Sequence, residues 1–217
     1  MDLIEAIKIR KSIRGFKSDP VSKETIREIL KISTRAPSGT NCQPWEFTII
    51  TGDILENVCK TVMEKINSGT PPDSEQVAPR WPKESVYQKR RVDLAKQIFQ
   101  LMEIERDDKD KRNEWLQRGF RYFDAPAAII ISIDKEQEQL KAFLDIGSIM
   151  QTICLAALSY DLGTCIARQG IMYPDVLRTH ARIADSRRIV ISIAIGYPDW
   201  QFPANKLESE REDVDSI

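Results

Sequence analysis

Histidine is almost absent from this sequence, and its scarcity argues against several classes of enzyme. His180 is the only histidine among 217 residues. Serine and cysteine hydrolases use a histidine as general base, so a Ser-His-Asp or Cys-His mechanism is disfavoured. The cysteines show no paired spacing, and we expect no metal site. Unpaired thiols are typical of a reducing compartment, so we expect a cytoplasmic protein with four free cysteines, Cys42, Cys59, Cys154 and Cys165.

The sequence also lacks an excess of either charge. Lysine and arginine number 32 against 33 aspartates and glutamates, which gives a formal net charge of -1. There is no basic excess to suggest nucleic acid and no polybasic tract to suggest an anionic membrane. No apolar run approaches the roughly 18 residues of a membrane span, and the first residues, M-D-L-I-E, are acidic where a signal peptide is basic. We therefore expect neither a nucleic-acid partner nor a membrane partner.

The glycine-rich nucleotide-binding motifs are missing as well. G-x-G-x-x-G does not follow the first predicted strand, so a Rossmann dinucleotide fold has no support. G-x-x-x-x-G-K-[ST] is absent too, which removes the support for a nucleoside triphosphatase.

Helical and strand-like segments are present along most of the chain. The spacing of apolar residues predicts helices at 2–11, 22–35, 53–67, 139–160 and 174–184. Short apolar runs predict strands at 46–51, 127–133, 162–167 and 188–195. These elements indicate an α+β fold in one domain over residues 1–217, with helices flanking a mixed central sheet of about four to five strands.

A rigid polar loop lies between the second helix and the first strand, with the sequence A-P-S-G-T-N-C-Q-P-W-E-F over residues 36–47. Prolines stiffen both ends, and Gly39 allows backbone angles that other residues avoid. Ser38, Thr40, Asn41 and Gln43 present hydroxyl and amide groups suited to a polar, planar ligand. The alternative is a capped helix end followed by an asparagine turn.

A cluster of cations follows the first helix, in the sequence R-K-S-I-R-G-F over residues 10–16. Arginine offers a planar fork to phosphate oxygens and serine adds a neutral donor, so the cluster is typical of a phosphate clamp. Cations at the C-terminal end of a helix also complement its dipole, which is the alternative explanation.

Three further segments have an open role. Residues 68–118 are a charged excursion that is either a solvated helix pair or a lid, in which Trp81, Tyr87, Phe99 and Trp115 would cover a cleft. The predicted helix 139–160 is apolar on nearly every side and belongs in a core or at a subunit interface. The C-terminal arm, residues 199–217, is polar and either dangles or wraps a neighbouring molecule.

Taken together and in order, these motifs resemble those of the FMN-dependent nitroreductase family. R-K-S-I-R-G-F resembles the family's N-terminal Arg-Arg-Ser-x-Arg-x-Phe element, and P-S-G-T-N-C-Q-P-W resembles its Pro-Ser-x-x-Asn-x-Gln-Pro-Trp loop. F-D-A-P at 123–126, L-G-T-C at 162–165 and G-Y-P at 196–198 are also similar. The resemblance covers the whole chain.

The resemblance implies an intertwined homodimer with two FMN sites at the interface, each built from both subunits. Arg10, Lys11, Ser12 and Arg14 would hold the phosphate and the polar edge of the flavin. The partner subunit would supply Pro37, Ser38, Gly39 and Asn41. Ser209 and Arg211 occupy the place of a C-terminal pair that contacts the phosphate, and Arg121 that of a basic residue facing the pyrimidine ring.

The segment after L-G-T-C departs from many members of the family, which continue with Pro-Gln. By position, Ile166 and Ala167 would run along the flavin, where a backbone N–H can meet N5. The guanidinium of Arg168 would then lie at the rim of the substrate space, or it would point outward and pair with Asp175.

The implied activity is that of an FMN-dependent oxidoreductase with NADH or NADPH as donor. In a ping-pong mechanism it would reduce small aromatic acceptors such as nitroaromatics, quinones or related compounds, with Arg121 and Arg168 as the catalytic candidates. Deiodinases and a flavin-fragmenting enzyme share the fold, and a flavin-binding or storage protein with little turnover would bind FMN through the same loop.

Overall fold

A computed structural model describes residues 2–73, 81–137 and 139–216. This part of the chain contains seven α-helices: α1 (Leu3–Ile9), α2 (Lys23–Ser33), α3 (Gly52–Asn67), α4 (Val86–Leu101), α5 (Lys109–Phe120), α6 (Gln139–Leu158) and α7 (Pro174–Ala181). Its four strands are β1 (Glu46–Thr51), β2 (Ala127–Asp134), β3 (Gly163–Ile166) and β4 (Arg187–Gly196). The prediction of an α+β fold is confirmed.

Side-chain caps mark where several helices begin. Ser22 accepts a hydrogen bond from the amide of Thr25 and starts α2, while Asp2 caps α1 in the same way. Such caps satisfy amides that have no partner within the helix. Because a serine or aspartate before an apolar stripe is visible in the sequence, these helix starts could be predicted.

The sheet has the order β1-β2-β4-β3, and all three strand pairs among the described residues are antiparallel. The prediction of a mixed sheet was wrong in this respect. β2 and β3 run in the same direction, as expected for strands joined through the single helix α6. β4 lies between them, however, and pairs antiparallel with both, so the two parallel strands never become neighbours.

Both faces of the sheet are buried. Along β2, Ile129, Ile131 and Ile133 pack into a core with α2 and α6, while Ala128 and Ile130 pack into a second core with α3 and α7. Successive side chains of a strand point to opposite faces, so two cores require a continuous apolar run. This is why β2 has no polar alternation.

Helix α6 is apolar on nearly every side but buried on only part of its surface. Ile149 and Ile153 are fully buried against the sheet, whereas Leu140 and Leu144 are 72% and 70% exposed. The stretch Leu140–Leu158 is the only one among the described residues long and apolar enough to cross a membrane. Core helices of globular proteins pass the same test, and the inward face of α6 belongs to the core.

The charged excursion folds into α4 and α5, and part of its preceding loop, residues 74–80, lies outside the described residues. Its aromatic residues are in contact: the Trp81 and Tyr87 rings are 4.9 Å apart, and Trp115 is 6.3 Å from Phe123. The tail forms two short 3₁₀ turns at Pro203–Lys206 and Val214–Ser216. An ion pair of 2.7 Å between Arg90 and Glu212 ties α4 to this tail.

Candidate cofactor site

Both ends of the chain line one large cleft of about 1110 Å³. Four of the predicted phosphate ligands meet there: Arg10, Lys11, Ser209 and Arg211. Apolar walls come from α1, from the end of α6 and from Trp200, whose ring lies 5.7 Å from the Lys11 ammonium. We call this site the basic cleft. Two guanidiniums, an ammonium and a hydroxyl suit a phosphomonoester, and the apolar walls suit a planar group.

The N-terminal side of the basic cleft is anchored on β3. Ser12 forms an isolated bridge with Thr164, and the amide of Ile13 donates to the Thr164 carbonyl over 2.9 Å. Gly163 allows this close approach, because a Cβ there would come within 2.5 Å of the Ile13 side chain and 2.8 Å of Pro198. The glycine of the L-G-T-C motif is therefore needed for packing.

The C-terminal side of the basic cleft carries the second pair of predicted ligands. The Arg211 guanidinium donates to the Ser209 hydroxyl over 2.8 Å and to the carbonyls of Ser209 and Glu210 over 2.9 Å each. Serine and arginine therefore form one hydrogen-bonded unit at the edge of the cleft.

The loop at residues 36–47 does not line the basic cleft. Pro37, Ser38, Gly39 and Asn41 lie beside α6, where the carboxylate of Asp145 accepts from the Gly39 amide over 3.0 Å and from the Cys42 thiol over 3.4 Å. Three non-glycine residues of the loop, Thr40, Asn41 and Gln43, have positive φ. Such residues persist where surrounding contacts hold them, and Asp145 provides two of those contacts.

The two arginines predicted as catalytic lie outside the lining of the basic cleft. Arg121 donates from Nε to the Asp124 carboxylate over 2.9 Å, and Asp124 also accepts from Arg118 over 2.6 Å. Arg168 directly precedes the 3₁₀ turn Gln169–Ile171 and is partly buried. Asp175, the outward partner predicted for Arg168, forms an ion pair with Lys65 at 2.7 Å.

Ile166 and Ala167, the two residues predicted to present a backbone amide to the flavin, lie at the end of β3. Ile166 closes the strand, and the amide of Ala167 already donates to the Ser192 carbonyl over 2.8 Å. Because one N–H cannot serve two acceptors well, Ala167 is a poor candidate for the flavin-facing amide. Among the two predicted residues, the contact would have to come from Ile166.

Burial keeps two of the thiols, Cys165 and Cys59, protonated at neutral pH. Burial raises the pKa of Cys165 to about 11, against the lowering effect of Arg14 and of a hydrogen bond with Ser12. Burial also raises the pKa of Cys59 to about 12, with Asp124 adding to the shift and Arg121 opposing it. A protonated thiol is a weak nucleophile, so neither residue suits covalent catalysis. Among the described residues, no group of three or more His, Cys, Asp or Glu side chains could hold a metal ion.

Three residues that hold the site together were missed in the sequence. Asn205 and Arg118 contact the backbone of Arg14, and Asp145 holds the polar loop. Each acts across more than 100 positions of sequence, where no local motif connects donor and acceptor. The only signal was indirect: Asp145 and Lys141 are the two charged residues on the mostly apolar helix α6.

These features define a protein with an open cleft in which four cations, Lys8, Arg10, Lys11 and Arg211, outnumber two carboxylates, Asp161 and Glu208, and whose described lining contains no histidine or cysteine. The sequence matches the Nitroreductase family over residues 7–197, so this chain belongs to that family of oxidoreductases. It is 31% identical to a nitrobenzene nitroreductase of Ectopseudomonas oleovorans, a match covering 98% of this chain and 94% of the relative. It is also 29% identical to a 4-nitrobenzoate reductase of Nocardioides sp., over 95% of this chain and 84% of the relative.

A solved structure agrees with the family assignment. The FMN and NADPH-dependent nitroreductase NfnB from Sphigopyxis sp. strain HMH superimposes with a TM-score of 0.93 and 27% sequence identity. The match covers 100% of this chain and 97% of that one. The predicted resemblance is thereby confirmed for the fold and for the family.

Proposed function

We propose that this protein is an FMN-dependent oxidoreductase that uses NADPH or NADH to reduce nitroaromatic compounds. The observation that carries the proposal is the basic cleft, in which cations about 200 positions apart in sequence converge on one volume. If each cation only complemented the dipole of a nearby helix, cations from two unrelated segments would have no reason to converge. The helix-dipole alternative therefore does not explain the cleft. The similarity to nitrobenzene and nitrobenzoate reductases and to an FMN and NADPH-dependent enzyme supports the same activity.

In this proposal, the residues of the chain bind and orient the cofactor. Arg10, Lys11, Ser209 and Arg211 would hold the phosphate in the basic cleft. Ser12 and Arg14, which flank the cleft-lining residue Ile13, would contact the polar edge of the ring system. FMN, when bound, accepts a hydride from the nicotinamide and passes electrons to the acceptor. Arg121, which lies outside the cleft of its own chain and is paired with Asp124, would supply the fixed positive charge predicted beside the pyrimidine ring.

We further propose that the working form is a homodimer. Two helices expose large apolar side chains, with Leu3, Ile4 and Ile7 of α1 at least 50% exposed and Leu144 of α6 at 70%. Exposed patches of this kind are typical of subunit interfaces. The loop bearing Ser38 and Asn41 is outside the basic cleft of its own chain. A second copy would bring that loop to the cofactor and cover the apolar helices at the same time.

Steady-state kinetics with nitrobenzene test the proposed activity. We expect the purified protein to carry FMN and to oxidise NADPH when nitrobenzene is added, with NADH measured alongside. Parallel lines in double-reciprocal plots at several acceptor concentrations are expected, because in a ping-pong mechanism the nicotinamide leaves before the acceptor enters.

Other outcomes would point to the alternatives. Bound FMN without turnover on nitroaromatics or quinones would indicate a flavin-binding or storage protein. Release of iodide from an iodinated phenol, with no nitro reduction, would indicate a dehalogenase. A protein that binds no FMN at all would contradict the proposal.

A further inference from the structure

The backbone of Arg14 is held on both sides by side chains from distant parts of the chain. Its amide donates to Oδ1 of Asn205 over 2.7 Å, and its carbonyl accepts from the guanidinium of Arg118 over 3.2 Å. Asn205 lies 191 positions away in sequence and Arg118 lies 104 away. The peptide groups on both sides of this residue are therefore fixed by tertiary contacts rather than by regular secondary structure.

Asn205 is fully used by these contacts. It is 1% exposed, and its Oδ1 accepts from the amides of Arg14 and Gly15 over 2.7 and 3.2 Å. Its Nδ2 donates to the carbonyls of Gly15 and Asp199 over 2.7 and 2.8 Å. An asparagine amide has two donor hydrogens and two acceptor lone pairs, so all four are satisfied. Aspartate lacks the two N–H donors, and alanine lacks every hydrogen-bonding atom of the side chain. Neither residue can therefore make the four hydrogen bonds that Asn205 makes.

Arg118 closes the arrangement from the carbonyl side. Its side chain is 18% exposed and makes a 2.6 Å ion pair with Asp124. The guanidinium also donates to the carbonyl of Phe123 over 3.3 Å and lies 4.7 Å from the ring of Phe202. One guanidinium thus contacts the N-terminal segment, the turn before β2 and the C-terminal segment.

The N-terminal and C-terminal segments are tightly packed against each other. A Cβ on Gly15 would lie 2.1 Å from the Phe202 ring, so only glycine lets the backbone lie this close to the Phe202 side chain. Ser209 and Arg211 follow Asn205 by four and six positions. Arg14 and Asn205 do not themselves line the basic cleft, but the amide of Asn205 connects the segment that follows Lys11 to the segment that precedes Ser209.

We propose that Asn205 is a positioning residue for the cofactor, acting by fixing the backbone of Arg14, and that Arg118 completes this function from the opposite side. The inference rests on the proposed function, since it requires Arg14 to contact FMN. Neither side chain needs to touch the cofactor itself.

A double-mutant cycle on FMN affinity tests the proposal. Apoprotein is titrated with FMN, and binding is followed by quenching of flavin fluorescence in wild type, Asn205→Ala, Arg14→Ala and the double variant. We expect Asn205→Ala to weaken FMN binding by about tenfold in the wild-type background. In the Arg14→Ala background the same change should cost less than about threefold, because the group being positioned is gone.

A second pair of variants keeps the test valid if Asn205→Ala fails to fold. Arg118→Gln is expected to couple to Arg14→Ala in the same way, and Arg118→Lys to restore part of the affinity by keeping one donor to the Arg14 carbonyl. Arg112→Gln is the matched control, because Arg112 lies on the same helix and also contacts one carbonyl, that of Arg106, and one ring, that of Phe99. It should leave FMN affinity unchanged.

The results that overturn the inference differ from those that overturn the proposed function. Equal losses in both backgrounds, or no loss at all, would mean that Asn205 does not act through Arg14. An Arg14→Ala variant that binds FMN as tightly as wild type would instead remove Arg14 from the cofactor site. If the wild-type protein binds no FMN, the proposed function itself is wrong.

Discussion

At the scale of single residues, the basic cleft depends on a few long cationic side chains at its edge. Arg211 is an exposed residue whose guanidinium is held by its own tail through the Ser209 hydroxyl and two carbonyls. A cation that is held in place loses less conformational freedom when it binds an anion. This favours a direct contribution of Arg211 to phosphate binding.

Replacing Arg211 by alanine should weaken FMN binding by one to two decades. Loss of one charge-assisted phosphate contact costs roughly 1.5–3 kcal/mol. The dissociation constant measured by fluorescence titration checks this. Arg27→Ala is the control, since it removes the same charge from an exposed position of α2 that does not line the cleft. Equal FMN affinity in wild type and Arg211→Ala would mean that Arg211 does not contribute to FMN binding.

The buried thiols should make the protein less stable at alkaline pH. The pKa of Cys59 is raised from 9.0 to about 12 by burial, so the folded state keeps a proton that the unfolded state loses above pH 9. The stabilisation is complete below pH 9 and falls as the pH rises toward 12, by about 1.4 kcal/mol per pH unit for one such thiol.

Urea unfolding at pH 8.0, 9.5 and 10.5, under reducing conditions, measures this effect. Other groups titrate in the same range, so the quantity of interest is the difference between wild type and Cys59→Ala. The variant should lose less stability over this range than wild type. Identical slopes would show that Cys59 does not hold its proton in the folded state.

At the scale of elements, α6 links the polar loop to the exposed apolar surface. Its Asp145 holds the loop through Gly39 and Cys42, and its Leu140 and Leu144 face solvent. A subunit that packs on these leucines therefore also contacts the helix that supports Ser38 and Asn41. The loop and the apolar surface can act as one unit in a dimer.

The reactivity of Cys42 reports on the contact between α6 and the loop. Desolvation raises the pKa of this thiol, and the hydrogen bond to Asp145 and its negative charge raise it further. Asp145→Ala should increase the rate of reaction with a disulfide reagent at pH 8 by several-fold, because more thiolate is present. FMN affinity should fall in the same variant if the loop contacts the cofactor.

Ser148→Ala is the control for this variant, since Ser148 lies on the same helix one turn on and only donates to its own helix, at the Leu144 carbonyl. It should change neither the rate nor the affinity. An unchanged Cys42 rate in Asp145→Ala would mean that the loop does not depend on this carboxylate.

At the scale of the whole molecule, α1 and α6 both expose large apolar side chains to solvent. Leu3, Ile4, Leu140 and Leu144 are each at least 60% exposed. Ile146, Ile149 and Ile153 on the opposite side of α6 are buried in the core with the sheet and α2. The helix thus has two apolar faces, and only one of them is covered within the chain.

Leu144→Glu should convert a yellow dimer into a monomer that has lost most of its FMN. A charge in an apolar interface is costly to desolvate, and separation also removes the loop that the second copy supplies. Multi-angle light scattering and the flavin absorbance of the same sample measure both effects. Ile54→Glu is the control, because Ile54 is 45% exposed on α3, on the other face of the sheet. A Leu144→Glu protein that stays dimeric and yellow would place the interface elsewhere.

The sequence determined the features that depend on neighbouring residues. Helix starts at Asp2 and Ser22, the strand Glu46–Thr51 and the continuous apolar strand β2 all follow from local caps and periodicity. The same reasoning does not settle Ile54, which is an apolar residue of α3 but is 45% exposed, because the buried stripe of the helix runs through Leu55, Val58 and Val62. Periodicity identifies the apolar face of a helix, but it does not show which residues of that face are buried in the core.

Only the tertiary structure decided how distant segments meet. The insertion of β4 between β2 and β3, which makes the sheet antiparallel, leaves no local trace, because either order would bury the same apolar strands. The contacts of Asn205 and Arg118 with Arg14, and of Asp145 with Gly39, join residues more than 100 positions apart. A hydrogen bond of that kind depends on where two backbones approach each other, which the pattern of either segment alone does not contain.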